Sequence, residues 1–399
     1  MLPILDGGSG TLKFTITATT ADGGAWLKTK PTSGTAPKIV SVSIVPKALP
    51  GGGTLSGNFE GSLLFQSGTD SVTVPVSVTV GNAFVQTDPV NFVMPAGGAN
   101  PLPQVLPIAT NGTAFTFSAQ AFGSSVGVNW LTVSPSGGAC CNTPEAMTLS
   151  VVNASSLAAG TYEGEVVLLE YPSNNRVSTV PVTLTVEPSG KSFFDNIPGL
   201  TSFGFATGGT AAIQVVPLDN GGSGTLNWSS VATTADGGKW LTLTPTKGAA
   251  PSVVTVKVNP AKLPGAGKQP GTFVGQQIFQ TATGNVTVPV SVTVGTAFAE
   301  LSALSFSAKS GTNPSPQNIT VASTGSAFTF NAFSYTGKGG NWLSITPHGG
   351  ACCNTPTTIT VTVSSSSLPV GNYIGELVFT EYPSNNIAMT VPVILAVTP

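Results

Sequence analysis

Charged residues and histidine are scarce in this chain. Lys, Arg, Asp and Glu together make up 8% of the 399 residues, there is one histidine, and the formal net charge is −2. Binding to nucleic-acid phosphates needs concentrated Lys and Arg, so the sequence predicts no nucleic-acid partner. The apolar runs are only as long as β-strands, and we therefore expect no membrane insertion.

Residues for catalysis are too few to predict an enzyme. The single histidine, His348, directly follows Pro347, and its counterparts in other repeats are Ser136 and Thr246. A catalytic histidine needs a nucleophile or an orienting partner at a fixed place, and the repeats supply none. We interpret His348 as a turn residue that faces solvent, and we predict no enzymatic activity.

The carboxylates form no repeated pair either. Glu163 and Glu165 lie two residues apart, but the second copy has Ile374 and Glu376 at these positions. This favours a solvated strand edge over an acid–base pair. Adjacent cysteines without further ligands do not suit zinc, and single aspartates beside glycines do not suit calcium. We therefore predict no metal and no cofactor.

What the sequence does contain is typical of an all-β protein. Hydrophobic residues make up 40% of the chain, which is enough to bury a core. The 48 glycines and 32 prolines supply turns between short strands. At roughly 100–150 residues per domain, the length suggests three or four domains.

Internal repeats define these domains. ATTADGG recurs around Asp22 and Asp236, and VTVPVSVTVG begins at Val72 and again at Val286, in both cases 214 residues apart. Four segments share the pattern Trp-Leu-x-x-x-Pro, with the tryptophans Trp26, Trp130, Trp240 and Trp342. Because a tryptophan in every copy is most simply explained by packing, we predict that these four residues lie in the cores.

The repeats predict four domains in the order A-B-A-B. We name them A1 (residues 1–81), B1 (82–188), A2 (189–296) and B2 (297–399). Seven short strands in about 100 residues predict an immunoglobulin-like β-sandwich for each. Each domain closes with a Val-Pro-Val strand, and the proline predicts a sheet edge because it cannot donate to the ladder.

The first domain begins differently from the third. A1 starts with MLPILDGGSGTLKF, whereas A2 has GLTSFGFATGGTAAIQVVPLDNGGSGTLNW at the equivalent place. We therefore expect A1 to lack its first strand and most of its second. An open sheet edge invites another strand, so we expect head-to-tail association with copies of the chain, with possible strand addition at A1. The alternative is that residue 1 is a fragment boundary inside a longer array.

All four cysteines lie in two copies of GGACCNTP, as the adjacent pairs Cys140–Cys141 and Cys352–Cys353. Adjacent Cα atoms are about 3.8 Å apart, below the usual disulfide separation of roughly 4.4–6.8 Å. Free thiols and bonds to another chain are therefore alternatives. For an oxidising extracellular location we predict a vicinal disulfide in each pair.

Only the B domains carry EYPSNN, whose Pro-Ser-Asn-Asn predicts a hairpin tip. In immunoglobulin strand order this tip and the GGACCNTP loop lie at the same end of the sandwich, facing the preceding A domain. We expect both at an A–B junction. Stacking of a polysaccharide on the tyrosine, with hydrogen bonds to the asparagines, is the alternative. The residues concerned are Tyr171, Asn174, Asn175, Tyr382, Asn385 and Asn386.

The B domains also resemble a known family. NWLTVSPSGG followed by LAAGTYEGEVVL, and NWLSITPHGG followed by LPVGNYIGELVF, resemble the BACON-type bacterial immunoglobulin-like domain. The A domains resemble it more loosely, and the family supplies no fixed ligand residues. The resemblance implies a secreted or surface module, found in tandem arrays, in phage structural proteins or beside carbohydrate-active enzymes.

From the residues and the resemblance together we predict a non-enzymatic extracellular or cell-surface protein. Its expected role is structural or adhesive, as a subunit of a fibre that assembles head-to-tail. The alternative is an array of carbohydrate-binding modules that uses the EYPSNN loops of the B domains.

Overall fold

β-strands joined by short turns make up the chain, for which a computed structural model describes residues 2–4, 6, 10–125, 127–282 and 284–399. Residues 7–9, part of the Gly-Gly turn expected in A1, lie outside the described residues. Within the described ranges, five short 3₁₀ turns interrupt the strands, at Pro46–Ala48, Pro50–Gly53, Ala154–Ser156, Pro260–Lys262 and Pro264–Gly267.

The first two domains contain strands β1 to β17. Those of A1 are β1 Leu2–Ile4, β2 Lys13–Thr20, β3 Leu27–Lys30, β4 Ser33–Thr35, β5 Lys38–Ile44, β6 Gly57–Ser67 and β7 Asp70–Val80. Those of B1 are β8 Val90–Pro95, β9 Gln104–Ile108, β10 Thr116–Phe122, β11 Ser124–Ser125, β12 Val128–Asn129, β13 Leu131–Ser134, β14 Gly137–Asn142, β15 Glu145–Val151, β16 Gly160–Glu170 and β17 Val177–Glu187.

The last two domains contain strands β18 to β33. Those of A2 are β18 Thr201–Phe205, β19 Gln214–Leu218, β20 Leu226–Thr234, β21 Leu241–Thr244, β22 Lys247–Ala250, β23 Ser252–Val258, β24 Gly271–Gln280 and β25 Asn285–Val294. Those of B2 are β26 Leu304–Lys309, β27 Gln317–Val321, β28 Thr329–Thr336, β29 Leu343–Thr346, β30 Gly349–Asn354, β31 Thr357–Val363, β32 Gly371–Glu381 and β33 Ala388–Thr398.

Each domain is a sandwich of two sheets, which confirms the predicted immunoglobulin-like fold. In B1, A2 and B2 a five-stranded sheet faces a three-stranded sheet. The strand orders are β14-β10-β16-β17-β8 and β13-β15-β9 in B1, and β18-β25-β24-β20-β22 and β19-β23-β21 in A2. In B2 they are β26-β33-β32-β28-β30 and β27-β31-β29. The first strand of each of these domains runs parallel to the last, while the other pairs are antiparallel.

The closing strand is not an edge strand in B1, A2 and B2, so the prediction from its proline is wrong there. The first strand of the domain pairs with it, but only after the proline. In B1 this pairing starts at Val182, opposite Val90, one residue beyond Pro181. It starts directly after Pro289 in A2 and after Pro392 in B2. The proline, which has no N–H to donate, therefore lies just outside the part of the strand that pairs with the first strand.

The larger sheet of A1 has four strands, in the order β4-β2-β6-β7. Within the described residues, β7 pairs with β6 on one side and with no strand on its other side. In β7, Val72 is 64% exposed and the other alternate valines are half-buried, whereas the valines of the identical segment in β25 are all buried and at most 6% exposed.

The cores lie between the two sheets of each sandwich. The four repeated tryptophans are at most 2% exposed, namely Trp26, Trp130, Trp240 and Trp342. Leu and Val residues of both sheets surround them. Period-two alternation produces this arrangement, because successive side chains of a strand point to opposite faces of its sheet.

Candidate functional site

The ATTADGG segments hold the core tryptophans of the A domains. Trp240 donates its indole N–H to Asp236 Oδ1 at 3.0 Å, and Trp26 donates to Asp22 Oδ1 at the same distance. The aspartate also accepts the N–H of the glycine two residues later, Gly24 in A1. This backbone hydrogen bond, ahead of the indole bond, lowers the pKa of Asp22. The sequence indicated a turn here, and the pairing with tryptophan was missed.

The cysteine pairs lie in edge strands rather than in loops. Gly137–Asn142 and Gly349–Asn354 form strands β14 and β30, so the expected D–E loop is part of the larger sheet. In the structure Cys140 is bonded to Cys141, and Cys352 to Cys353. Cys141 and Cys353 pack into the cores of their domains.

The EYPSNN hairpin lies at the same end of the sheet as the cysteine pair. In B1, Phe117 is opposite Cys141 in one neighbouring strand and opposite Glu170 in the other. B2 repeats this row through Phe330. The sequence therefore placed the two features at one end correctly, although GGACCN is a strand.

The two EYPSNN hairpins have different surroundings. In B1 the hairpin is exposed, including Tyr171 at 48%, Asn174 and Asn175. It is fixed to the start of its own domain, because Arg176 stacks over Phe115 and donates Nε–H to the carbonyl of Asn82.

In B2 the hairpin contacts domain B1. The backbone N–H of Ala146 donates to the carbonyl of Asn385 at 2.7 Å. Asn386, with its amide oriented to satisfy both atoms, donates to the carbonyl of Pro144 at 2.6 Å. Tyr382 remains 47% exposed. This hairpin thus joins two B domains, whereas we had expected an A–B junction.

The outer face of the larger A2 sheet lies against B1. The backbone N–H of Asn91 donates to Thr287 Oγ1 at 2.7 Å, and the hydroxyl of Thr287 lies 3.4 Å from Gln104 Oε1. Gln276 donates to the carbonyl of Pro89 at 2.8 Å. Strand β25 thus contacts β8 and β9, and all ten of its residues are buried.

Gly199 lies in the linker between β17 of B1 and β18 of A2, and it joins three domains at one point. Gly199 donates its N–H to Glu376 Oε2 of B2 at 2.7 Å and accepts the N–H of Val105 of B1 at 2.9 Å. A Cβ on Gly199 would lie 1.8 Å from the carbonyl oxygen of Pro103, so this crossing requires glycine. A small apolar cluster surrounds it and contains Val105, Ala146, Leu200, Val378 and Ala388.

Further polar contacts join A2 to B2. Lys338 Nζ lies 2.8 Å from Asp195 Oδ2. The carboxylate of Glu300 accepts the N–H groups of Gly204 and Ala212 at 3.0 and 2.7 Å. Burial raises the pKa of Glu300, and these two hydrogen bonds act in the opposite direction.

Two carboxyl groups are buried where the domains meet. Burial raises the pKa of Glu376 from 4.5 to about 8, opposed by the hydrogen bond from Gly199. Burial likewise raises the pKa of Glu145 to about 8, opposed by hydrogen bonds from Asn142 and Asn385. Glu376 is 0% exposed, so our interpretation of this position as a solvated strand edge is wrong. Glu163 and Glu165 are exposed as expected.

His348 is exposed in a turn. In the part of the chain that the structure describes, no group of three or more His, Cys, Asp or Glu side chains could hold a metal ion. None of the described helices is long and apolar enough to cross a membrane. The cavity between B1 and A2, lined by Asp88 and Gln276 among others, is about large enough for one water molecule.

Comparisons with solved structures find other tandem β-sandwich proteins. Drosophila N-cadherin EC1-4 is 10% identical, with 100% of this chain and 94% of that chain covered and a TM-score of 0.20. The human desmocollin-1 ectodomain is 9% identical, with 100% and 77% covered and a TM-score of 0.20. Titin domains I67-I69 are 11% identical, with 80% and 99% covered and a TM-score of 0.18. Values this low say nothing about function.

Comparisons of sequence give one family match. A search of curated protein sequences found no significant match. The model of the viral BACON domain matches twice, at residues 200–293 and 299–393, which correspond to A2 and B2. The match agrees with the two-sheet architecture of both domains and with the resemblance noted in the B repeats. The second half of this chain is therefore similar to the viral BACON domain, which it matches as two tandem copies.

Proposed function

We propose that this chain is a non-enzymatic structural or adhesive repeat protein, located outside the cell or on a surface, and a fibre subunit that assembles head-to-tail. The observation that carries the proposal is the contact of B1 with A2. There, polar side chains on the outer face of a sheet, Thr287 and Gln276, bind the neighbouring domain. Repeat proteins gain length and stiffness from such neighbour contacts.

Two further features support assembly. Among the described residues no strand pairs with the outer side of β7 in A1, and this side can accept a strand from another chain, as sheet edges do in β-strand addition. The surface has little net charge to repel a second copy, since the formal net charge is −2. The viral BACON match supports an extracellular place, on a cell surface or on a virus particle.

Electron microscopy of the purified chain over a range of concentrations tests the proposal. We expect filaments whose lengths increase with concentration. Single particles of one chain at every concentration would contradict a fibre subunit.

A carbohydrate-binding function is the second candidate, and one observation favours it. The EYPSNN hairpin of B1 exposes Tyr171 beside Asn174 and Asn175, a combination that can stack on a sugar ring and bond its hydroxyls. A glycan array at low salt tests it, with Tyr171→Ala as the comparison. Signals that disappear in the variant support sugar binding, and equal signals exclude this hairpin.

A further inference from the structure

The sequence that A2 uses to bind B1 occurs a second time in A1, where it is exposed. VTVPVSVTVG is identical at 72–81 and 286–295. In A2 the outward residues of this strand are buried against B1, including Thr287 at 1% exposed. In A1 the corresponding residues are exposed, namely Ser71, Thr73, Pro75, Ser77 and Thr79. A1 thus presents an exposed copy of this strand, with Ser62 on the neighbouring strand β6 where A2 has Gln276.

B2, in turn, leaves exposed the part of its first two strands that is equivalent to the B1 surface. In B1, Gln104 donates to the carbonyl of Asn91 at 3.0 Å, and this pair meets Thr287. In B2, Gln317 donates to the carbonyl of Ser305 at 2.8 Å, at the equivalent positions of the first two strands. Asn91 is 3% exposed, whereas Ser305 is exposed. In B2, the backbone N–H of Ser305 and the side chain of Gln317 are therefore already arranged to bind a threonine hydroxyl.

We propose that the outer sheet face of A1 binds the β26–β27 face of B2 in a second copy of this chain, and so repeats the B1–A2 contact between chains. In this contact Thr73 takes the place of Thr287, and Ser305 and Gln317 take the places of Asn91 and Gln104. The contact joins two different surfaces, so each added chain leaves one of each free, and a filament grows unless the rotation between chains closes a ring. The inference rests on the proposed head-to-tail assembly and names its surfaces.

The two contacts differ in polarity, which sets their relative strength. The B1 face includes Val93, which packs against the A2 core, and the buried Val105. Their counterparts in B2 are Ser307 and Asn318, both exposed. The contact between chains therefore buries less apolar surface than the contact within a chain, and we expect it to be the weaker and reversible one.

A charge pair tests the proposed surfaces. Thr73→Lys and Ser305→Glu each place an uncompensated charge in the contact and should weaken self-association by roughly tenfold or more. The double variant should recover association, because the two charges then face each other across chains. Thr132→Lys, on an exposed sheet face outside the contact, is the matched control and should associate like the wild type. Sedimentation velocity over a wide concentration range measures all four.

Photo-crosslinking locates the contact independently. A benzophenone side chain placed at Thr73 should form links to residues 302–320 of another chain, identified by mass spectrometry. One outcome is that the wild type associates while Thr73→Lys leaves self-association unchanged and the crosslinks lie outside residues 302–320. This result would show that the proposed surfaces are wrong, although head-to-tail assembly would stand. If the wild type stays monomeric at every concentration, the inference and the proposed assembly both fail.

Discussion

Thr287 Oγ1 and the backbone nitrogen of Asn91 are 2.7 Å apart, although 196 residues separate them in the chain. This hydrogen bond is buried and joins the outer face of the A2 sheet to the first strand of B1. The contact between these domains therefore depends on particular side chains, and its strength can be measured by removing one of them.

Thr287→Val keeps the shape of the side chain but leaves the N–H of Asn91 buried without a partner. We expect a loss of about 1–3 kcal/mol in the free energy of unfolding. In calorimetry of the full chain this corresponds to roughly 2–4 °C per kcal/mol in the transition that includes A2. Thr73→Val changes the same residue in the identical but exposed strand of A1, and at low concentration it should cost less than about 0.5 kcal/mol. Equal losses in the two variants would show that Thr287 makes no special contact.

Gly199→Ala tests the crossing of three domains. The new Cβ would lie 1.8 Å from the carbonyl oxygen of Pro103, so the linker must move and lose its bonds to Glu376 and Val105. We expect faster proteolysis between B1 and A2 while the separate domains stay folded. Gly138→Ala, where a Cβ meets no atom within 4 Å, is the control. Unchanged proteolysis in Gly199→Ala would mean that the domains do not meet at this glycine.

Glu376 should make stability depend on pH. Its folded pKa of about 8 exceeds the ordinary 4.5, so the folded chain holds a proton that the unfolded chain releases. The contribution of Glu376 to the free energy of unfolding is therefore fully present below about pH 4.5 and is lost as pH rises towards 8. Glu376→Gln, which resembles the protonated group, should reduce this fall in the melting temperature between pH 5 and 9. Glu145 contributes in the same direction, so part of the fall remains. Glu163→Gln, at an exposed position, is the control and should keep the wild-type dependence of melting temperature on pH. The same dependence in Glu376→Gln would contradict the role of Glu376.

The vicinal disulfides are a prediction about the isolated protein. Intact-mass measurement under denaturing conditions should show a gain of two hydrogen atoms per pair on reduction, for Cys140–Cys141 and Cys352–Cys353. Non-reducing gels should show single chains. An unchanged mass indicates free thiols, and covalent multimers indicate bonds between chains.

The sequence was sufficient for the sandwich fold, because repeated tryptophans and period-two alternation determine which face of each strand is buried. It was not sufficient for the domain contacts. The identical strand VTVPVSVTVG is exposed in A1 and buried in A2, so its own residues cannot indicate which outcome occurs. Glu376 was misinterpreted for the same reason, since its burial depends on the linker at Gly199. Pro289 suggested an edge strand because β18 pairs with β25 only beyond this proline, from Val290 onwards. Pro289 itself therefore gives no sign of the added strand.

Sedimentation velocity of the unmodified chain, from the lowest measurable concentration to the solubility limit, tests the central claim most directly. If the chain is a structural subunit that associates through unlike ends, the weight-average sedimentation coefficient rises continuously with concentration, without a plateau at a dimer. A constant value for a single chain throughout, with all four domains folded, would contradict the account.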